Sequence, residues 1–77
     1  MQQKAANGEI GVKINGAART VPAGMSLRQV LEWLEVETER VAVELNRAIV
    51  RKADWEKAPV EAGAEIEIVM FVGGGRR

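Results

Sequence analysis

The chain has 77 residues, enough for one small domain but too few for a pocket that encloses a substrate. Hydrophobic residues make up 47% of it and charged residues 29%, so we expect a packed core and a solvated surface. It contains no cysteine and no histidine, which removes disulfides, thiolate metal sites and the usual nucleophiles and general bases. Eleven basic and eleven acidic residues balance, so the charge does not indicate a nucleic acid partner. A self-contained enzyme is therefore not expected.

No segment has the ~18 consecutive apolar residues that a membrane helix needs. The first eight residues, MQQKAANG, also lack the apolar run of a signal peptide, and we interpret residues 1–8 as a disordered leader. We therefore expect a cytoplasmic protein with no membrane partner.

The first predicted element is a β-hairpin. Apolar residues alternate with other residues at Ile10, Val12 and Ile14, which predicts a strand with one buried face. Asn15-Gly16 follows, the strongest short signal for a type I′ turn, so residues 17–21 should return as an antiparallel strand.

A helix is predicted next. Ser26 is a suitable N-cap, and four apolar residues follow at the spacing of one helical face: Leu27, Val30, Leu31 and Leu34. We expect this helix to end near Glu35 to Glu37.

The rest of the chain predicts three more strands. Alternation over 41–45 indicates the third strand, and Asn46-Arg47 forms a turn into a short strand at 48–50. Residues 51–61 are predicted as a loop with one helical turn, in which Trp55 has a packing role. Alternation over 64–72 predicts the longest strand.

This order of elements predicts an α+β fold with a mixed sheet of four or five strands and one main helix across one face. The first and last strands should be adjacent and parallel, which is the ubiquitin-like β-grasp arrangement, over residues 9–72. The alternation predicts a core made of Ile10, Val12, Ile14, Val21, Leu27, Val30, Leu31, Leu34, Val41, Val43, Leu45, Ile66, Ile68 and Met70.

The last predicted strand has an unusual second face. Opposite the core positions lie Glu65, Glu67, Val69 and Phe71, so this face changes from acidic to apolar along the strand. We interpret Val69, Phe71 and the following Val72 as a docking site for a partner. The alternative is that the N-terminal segment or a second copy covers the apolar pair. Glu65 and Glu67 could bind an arginine-rich partner, whereas a metal site is not expected.

The sequence after this strand is Gly73-Gly74-Gly75-Arg76-Arg77. Residues without a Cβ can enter a narrow channel, and four extended residues reach up to roughly 14 Å from the domain. Residues 73–77 are therefore predicted to be a flexible tail, either a functional tether or an ordinary mobile chain end.

Three features of the sequence belong together: the order of elements, the segment Leu45 to Val50 with Asp54-Trp55 after it, and the ending Ile66 to Gly75. In combination they resemble the ThiS family of sulfur carriers in thiamine biosynthesis, within the ThiS/MoaD superfamily. The resemblance covers residues 9–75. The MoaD carriers of molybdopterin synthesis share the fold and the diglycine end, so they are the closest alternative.

The resemblance implies that the chain end is a reactant and that the carrier has no catalytic residue. A ThiF-like adenylyltransferase would use ATP to activate Gly75, and a sulfur donor would convert it to a thiocarboxylate. The donor would be a cysteine desulfurase or a rhodanese-like protein. Gly74 and Gly73 would complete the tail, and a ThiG-like thiazole synthase would receive the sulfur. No bound cofactor and no metal are implied.

The sequence departs from the family at its last two residues, because Arg76 and Arg77 follow the glycines. A peptidase removes them, or they come from cloning, or the carrier function has been lost; we expect removal or a cloning origin. A ubiquitin-like protein modifier or a simple β-grasp interaction module is the alternative from another functional class.

Overall fold

The structure is a computed structural model that describes residues 8–71. Five strands and one α-helix form the domain: β1 (Glu9–Ile14), β2 (Ala17–Pro22), α1 (Leu27–Trp33), β3 (Val41–Leu45), β4 (Ala48–Val50) and β5 (Glu65–Met70). Two short 3-10 helices occupy Thr38–Arg40 and Lys52–Lys57. Within residues 8–71, no helix has the length and apolar character needed to cross a membrane.

The five strands form one mixed sheet in the order β2-β1-β5-β3-β4. β5 lies in the middle, parallel to β1 and antiparallel to β3, while β2 and β4 are the edges. The prediction that the first and last strands are adjacent and parallel is confirmed. The predicted turns are confirmed as well, with positive φ at Asn15 and Gly16 and again at Asn46 and Arg47.

Helix α1 is short and has a defined cap at each end. At its start, the Ser26 hydroxyl accepts a hydrogen bond from the Gln29 backbone N–H, and the Gln29 side chain accepts one from the Ser26 N–H. At its end, Glu35 has φ +62°. Its N–H donates to the Glu32 carbonyl, and the N–H of Val36 donates to the Leu31 carbonyl, which together form a Schellman motif. The helix therefore ends at Trp33, two residues before the predicted end near Glu35 to Glu37.

The core lies between α1 and one face of the sheet. Leu27, Val30 and Leu31 of the helix are fully buried. They pack with the inner residues of the sheet and of the loops: Val12, Ile14, Val21, Val43, Trp55, Val60, Ala64 and Ile66. Five other predicted core residues are partly buried around this cluster: Ile10, Leu34, Val41, Leu45 and Ile68.

Met70 is the exception among the predicted core residues, because its side chain is 59% exposed. It has the correct alternation for the inner face, but α1 has only seven residues, about 10 Å, whereas β5 is about 20 Å long. The helix therefore leaves the last part of the strand uncovered, and the prediction for Met70 is wrong.

The loop after β4 is fixed to the helix by Trp55, whose predicted packing role is confirmed. Its side chain is buried, and its indole N–H donates to the Val50 carbonyl at 2.9 Å. The Arg28 guanidinium lies 5.7 Å from the centre of the ring, within the range of a cation–π contact. Arg28 also forms an ion pair with Glu56 at 3.3 Å, which joins α1 to the 3-10 helix 52–57, and one with Glu32 at 3.6 Å within α1.

Candidate functional site

The candidate site is the surface of the sheet that points away from α1, which we call the outer face. β5 contributes Glu65, Glu67 and Val69 to it, and Phe71 follows directly after the strand. The strand register places Ala42 beside Val69, and Glu44 between Glu67 and Ile49. β5 is the central strand of the sheet, so it runs through the middle of the outer face, and the glycines follow it in the sequence.

The half of the outer face near the end of β5 is apolar and exposed. Val69 is 58% exposed and Phe71, the residue after the strand, is 56% exposed. Ile49, on the edge strand β4, lies beside this half, level with Glu44, and is 74% exposed, more than any other large hydrophobic side chain of residues 8–71. Apolar groups grouped in this way on a small domain are typical of a surface that a partner covers.

The other half of the outer face is acidic. Glu65 has the Arg47 guanidinium 3.6 Å from its carboxylate, although both side chains are well exposed to solvent. Glu67 lies directly opposite Glu44 on β3, so two carboxylates face one another across the strands. The outer face thus combines an apolar end with an acidic middle.

The two turn asparagines hold β5, Asn15 near its end and Asn46 at its start. On the β1 side, the Asn15 side chain accepts from the Ile68 N–H at 2.7 Å and donates to the Ile68 carbonyl at 3.3 Å. This amide group takes the place of a peptide group, because β1 has already ended at Ile14. On the β3 side, the Asn46 side chain accepts from the Glu65 N–H at 3.0 Å.

The last described residue is also attached to the sheet. The N–H of Phe71 donates to the Arg40 carbonyl at 2.7 Å, which continues the antiparallel pairing of β5 with β3 by one residue. The backbone is therefore fixed up to the point where Val72 and the glycines follow. This geometry gives Phe71 a defined position on the outer face.

The predicted site residues divide into two groups. Val69 and Phe71 lie together on the outer face, with the alternation that the sequence predicts. Val72, Gly73, Gly74 and Gly75 lie outside the described residues, so the predicted docking role of Val72 and the predicted reactive tail stay predictions. No measurement of binding tests the docking role of Val69 and Phe71, which stays a prediction as well.

Sequence reasoning missed Ile49 as part of this surface. Its strand, β4, has only three residues, too few for alternation to identify a face. The signal that could have found it is the Asn46-Arg47 turn, because a two-residue hairpin loop fixes the register and places Ile49 opposite Glu44.

Other parts of the described surface give weaker indications of a binding site. A depression with a volume of about 560 Å³ lies near the start of β5 and is lined by Ile10, Met25, Gln29, Pro59 and Val60 among others. It is at the opposite end of the strand from Phe71. Residues 8–71 contain no group of three or more ligating side chains that could hold a metal ion.

Comparison with known proteins identifies the family. The model of the ThiS family matches residues 12–75 of this chain, a segment that includes the glycines. The crystal structure of a thiamine biosynthesis protein (ThiS) from Geobacter metallireducens superposes with a TM-score of 0.76. It is 29% identical and covers 86% of this chain and all of its own chain. This likeness confirms the predicted β-grasp fold.

Sequence relatives include longer proteins. A thiazole synthase from Paramagnetospirillum magneticum is 42% identical over 62 residues, and one from Magnetococcus marinus is 34% identical over 65 residues. The chain spans 80% and 84% of its own length in these matches, but only about a fifth of the length of either synthase. The protein ycf40 of Porphyra purpurea is 29% identical over 90% of this chain and 97% of its own length. The family match, the fold and the outer face that ends at the glycines agree, and the chain belongs to the ThiS family of small ubiquitin-like sulfur carriers.

Proposed function

We propose that this protein carries sulfur on Gly75 as a thiocarboxylate and donates it to the thiazole ring of thiamine. The observation that carries the proposal is the extent of the family match, which continues through Gly73 and Gly74 to Gly75. The match thus includes the residue that would react. In this function the protein is a co-substrate of its partner enzymes.

The proposed chemistry begins with activation, because a carboxylate is a poor acyl donor. A ThiF-like adenylyltransferase joins the Gly75 carboxylate to the AMP portion of ATP and releases pyrophosphate. A sulfur donor, such as a cysteine desulfurase or a rhodanese-like protein, then attacks with its persulfide and displaces AMP, which gives an acyl disulfide. A thiol cleaves this disulfide, which releases the Gly75 thiocarboxylate and leaves the thiol and the donor joined as a disulfide. ATP is a substrate of the partner, so the carrier itself needs no bound cofactor. The absence of cysteine and histidine from the chain is compatible with this role.

The relatives support thiamine as the destination of the sulfur. Two of them are named thiazole synthase, and the structural neighbour is named a thiamine biosynthesis protein. In the two synthases, the segment similar to this chain is part of the same polypeptide as the rest of the protein. This arrangement supports a ThiG-like thiazole synthase as a partner, and it favours the thiamine pathway over molybdopterin synthesis.

The outer face supplies the docking surface in this proposal. A partner that covers Val69 and Phe71 holds the end of β5, and the glycines after Val72 then extend into its active site. Glycines suit this role because their lack of a side chain lets the chain pass through a narrow channel. The hydrogen bond from Phe71 to Arg40 gives the partner a rigid surface to recognise.

Mass spectrometry of the intact protein tests the proposal. The chain that ends at Gly75 is incubated with ATP, a sulfide source and the ThiF-like adenylyltransferase of the same organism. We expect its mass to rise by the difference between a sulfur and an oxygen atom. The matched control is the 77-residue chain, in which Gly75 has a peptide carbonyl and no free carboxylate.

The control also tests the two arginines. If carrier function needs their removal, the 77-residue chain stays unmodified until a carboxypeptidase that removes basic residues is added. A chain ending at Gly75 that gains no sulfur under any of these conditions would contradict the proposal. A branched peptide between Gly75 and a lysine of another protein would instead identify a ubiquitin-like modifier.

A further inference from the structure

Glu44 and Glu67 form an unfavourable pair on the outer face. The register places them directly opposite one another on β3 and β5, where the Cβ atoms of facing residues are about 5 Å apart. Two negative charges in this position repel one another and destabilise the sheet. Because the pair lowers the stability of the sheet, its presence needs an explanation other than folding stability.

Among residues 8–71, no lysine or arginine forms an ion pair with Glu44 or Glu67. The three ion pairs among residues 8–71 join Arg28 to Glu32 and Glu56, and Arg47 to Glu65. Glu65 lies two residues before Glu67 on the same face, so the strand has a cation beside one carboxylate and none beside the next. On β5, the carboxylate without an ion pair among residues 8–71 is thus Glu67, the one next to the apolar end of the outer face.

The neighbours of the pair make this position important for docking. Val69 and Ala42 form the next pair along the same two strands, and Ile49 lies beside Glu44 on β4. Glu44 lies next to Ile49, and Glu67 precedes Val69 on the outer face of β5, so a partner that covers Val69 and Ile49 also covers the two carboxylates. Removing ionised carboxylates from water without a compensating charge is strongly unfavourable. A partner surface made only of apolar groups would therefore bind poorly.

We propose that the partner of the outer face presents an arginine that enters between Glu44 and Glu67 while apolar side chains cover Val69 and Phe71. The inference rests on the proposed function, and it assigns this arginine to the adenylyltransferase that activates the carrier. Arginine suits the position because its planar guanidinium has five N–H donors, enough to bind two carboxylates at once. A metal ion would need further ligands, and no group of three or more ligating side chains occurs within residues 8–71.

Glu44→Gln and Glu67→Gln test the inference, since glutamine keeps the size of the side chain and removes its charge. Binding of the chain ending at Gly75 to the purified ThiF-like adenylyltransferase is measured by titration calorimetry. We expect the Kd of the double variant to rise about tenfold, because the arginine loses both anionic partners. Glu61→Gln is the matched control, with the same charge change in the exposed turn before β5, and its Kd should stay at the wild-type value.

Thermal unfolding of the isolated carrier gives a second measurement. We expect Glu67→Gln to raise the unfolding midpoint by about 1–3 °C, because it removes the repulsion from Glu44. A substitution that stabilises the free protein while weakening the complex separates a docking role from a structural one. An unchanged or lower midpoint in the chain ending at Gly75 would overturn the inference.

The remaining outcomes separate the inference from the proposed function. If the wild-type chain binds the enzyme and both glutamine variants bind equally well, the inference of a partner arginine is overturned and the proposed carrier function stands. If the substitutions lower the midpoint in the 77-residue chain only, Arg76 or Arg77 binds the carboxylates and the inference is overturned. If the wild-type chain neither binds the enzyme nor gains sulfur, both proposals fail.

Discussion

Asn15 has two separate roles at the exit of β5. Its backbone adopts φ +51° in the turn between β1 and β2, and its side-chain amide hydrogen-bonds both backbone groups of Ile68. Few residues other than glycine adopt this conformation easily, but asparagine does. The two roles can be separated experimentally, because glycine supports the turn and has no side chain.

Asn15→Gly should lower the free energy of unfolding by about 1 kcal/mol, since two partly solvated hydrogen bonds are lost while the turn is kept. Urea denaturation measures this change. Amide hydrogen exchange should accelerate at Ile68 relative to Phe71, whose N–H is bound by Arg40 on the other side of the strand. Equal acceleration at both amides would show that the turn itself has been disrupted, contrary to this prediction.

At the scale of an element, the end of α1 stores conformational strain at one residue. Glu35 occupies the C′ position of the Schellman motif, where glycine is the usual residue. A side chain in this left-handed conformation is unfavourable, and a carboxylate at a helix C-terminus also opposes the helix dipole. The motif forms because its hydrogen bonds and the burial of Leu31 outweigh these terms.

Glu35→Gly should therefore raise the free energy of unfolding by about 1 kcal/mol. The matched control is Glu37→Gly, because Glu37 has an ordinary φ of −73° and gains nothing from glycine there. Chemical denaturation of the two variants and the wild type provides the comparison. A destabilised Glu35→Gly variant would mean that the glutamate side chain makes a favourable contact that outweighs its strain.

The length of the helix and the register of the strands also explain the limits of the sequence predictions. Alternation correctly predicted that Val69 and Phe71 share a face, because the side-chain period of a strand is a local property. It could not predict that Met70 is exposed, since that depends on how far α1 extends over the sheet. The prediction for the helix end failed for a related reason, because a glutamate gives no signal that it will adopt a positive φ. The role of Glu44 opposite Glu67 required the register between strands that are distant in sequence.

At the scale of the whole molecule, the two surfaces of the domain have different roles. The inner face of the sheet and α1 make the core, while the outer face holds the exposed apolar residues near the exit of β5. Trp33 is also exposed, at 47%, but it belongs to α1 on the opposite side of the sheet. If docking depends on the outer face alone, these two aromatic residues should respond differently to substitution.

Phe71→Gln should reduce the rate of Gly75 adenylation by about tenfold, because a buried aromatic contact in an interface typically contributes 1–2 kcal/mol or more. Trp33→Gln is the control and should leave the rate unchanged. Pyrophosphate release measures adenylation, and far-UV circular dichroism verifies that both variants keep the fold. Equal rates for Phe71→Gln and the wild type would remove the outer face from the docking proposal.

The position of β5 in the middle of the sheet also affects how the protein acquires its fold during synthesis. β1 and β3 are not neighbours in the sheet, and they are joined only when β5, the last of the five described strands in chain order, is inserted between them. The early β1–β2 hairpin and the later β3–β4 hairpin can form locally, but pairing with β5 closes a long loop and should be the slower step. The native docking face therefore cannot form before β5 is in place. An activating enzyme that recognises this face would select chains in which β5 is already paired with both neighbours and ignore partly folded ones.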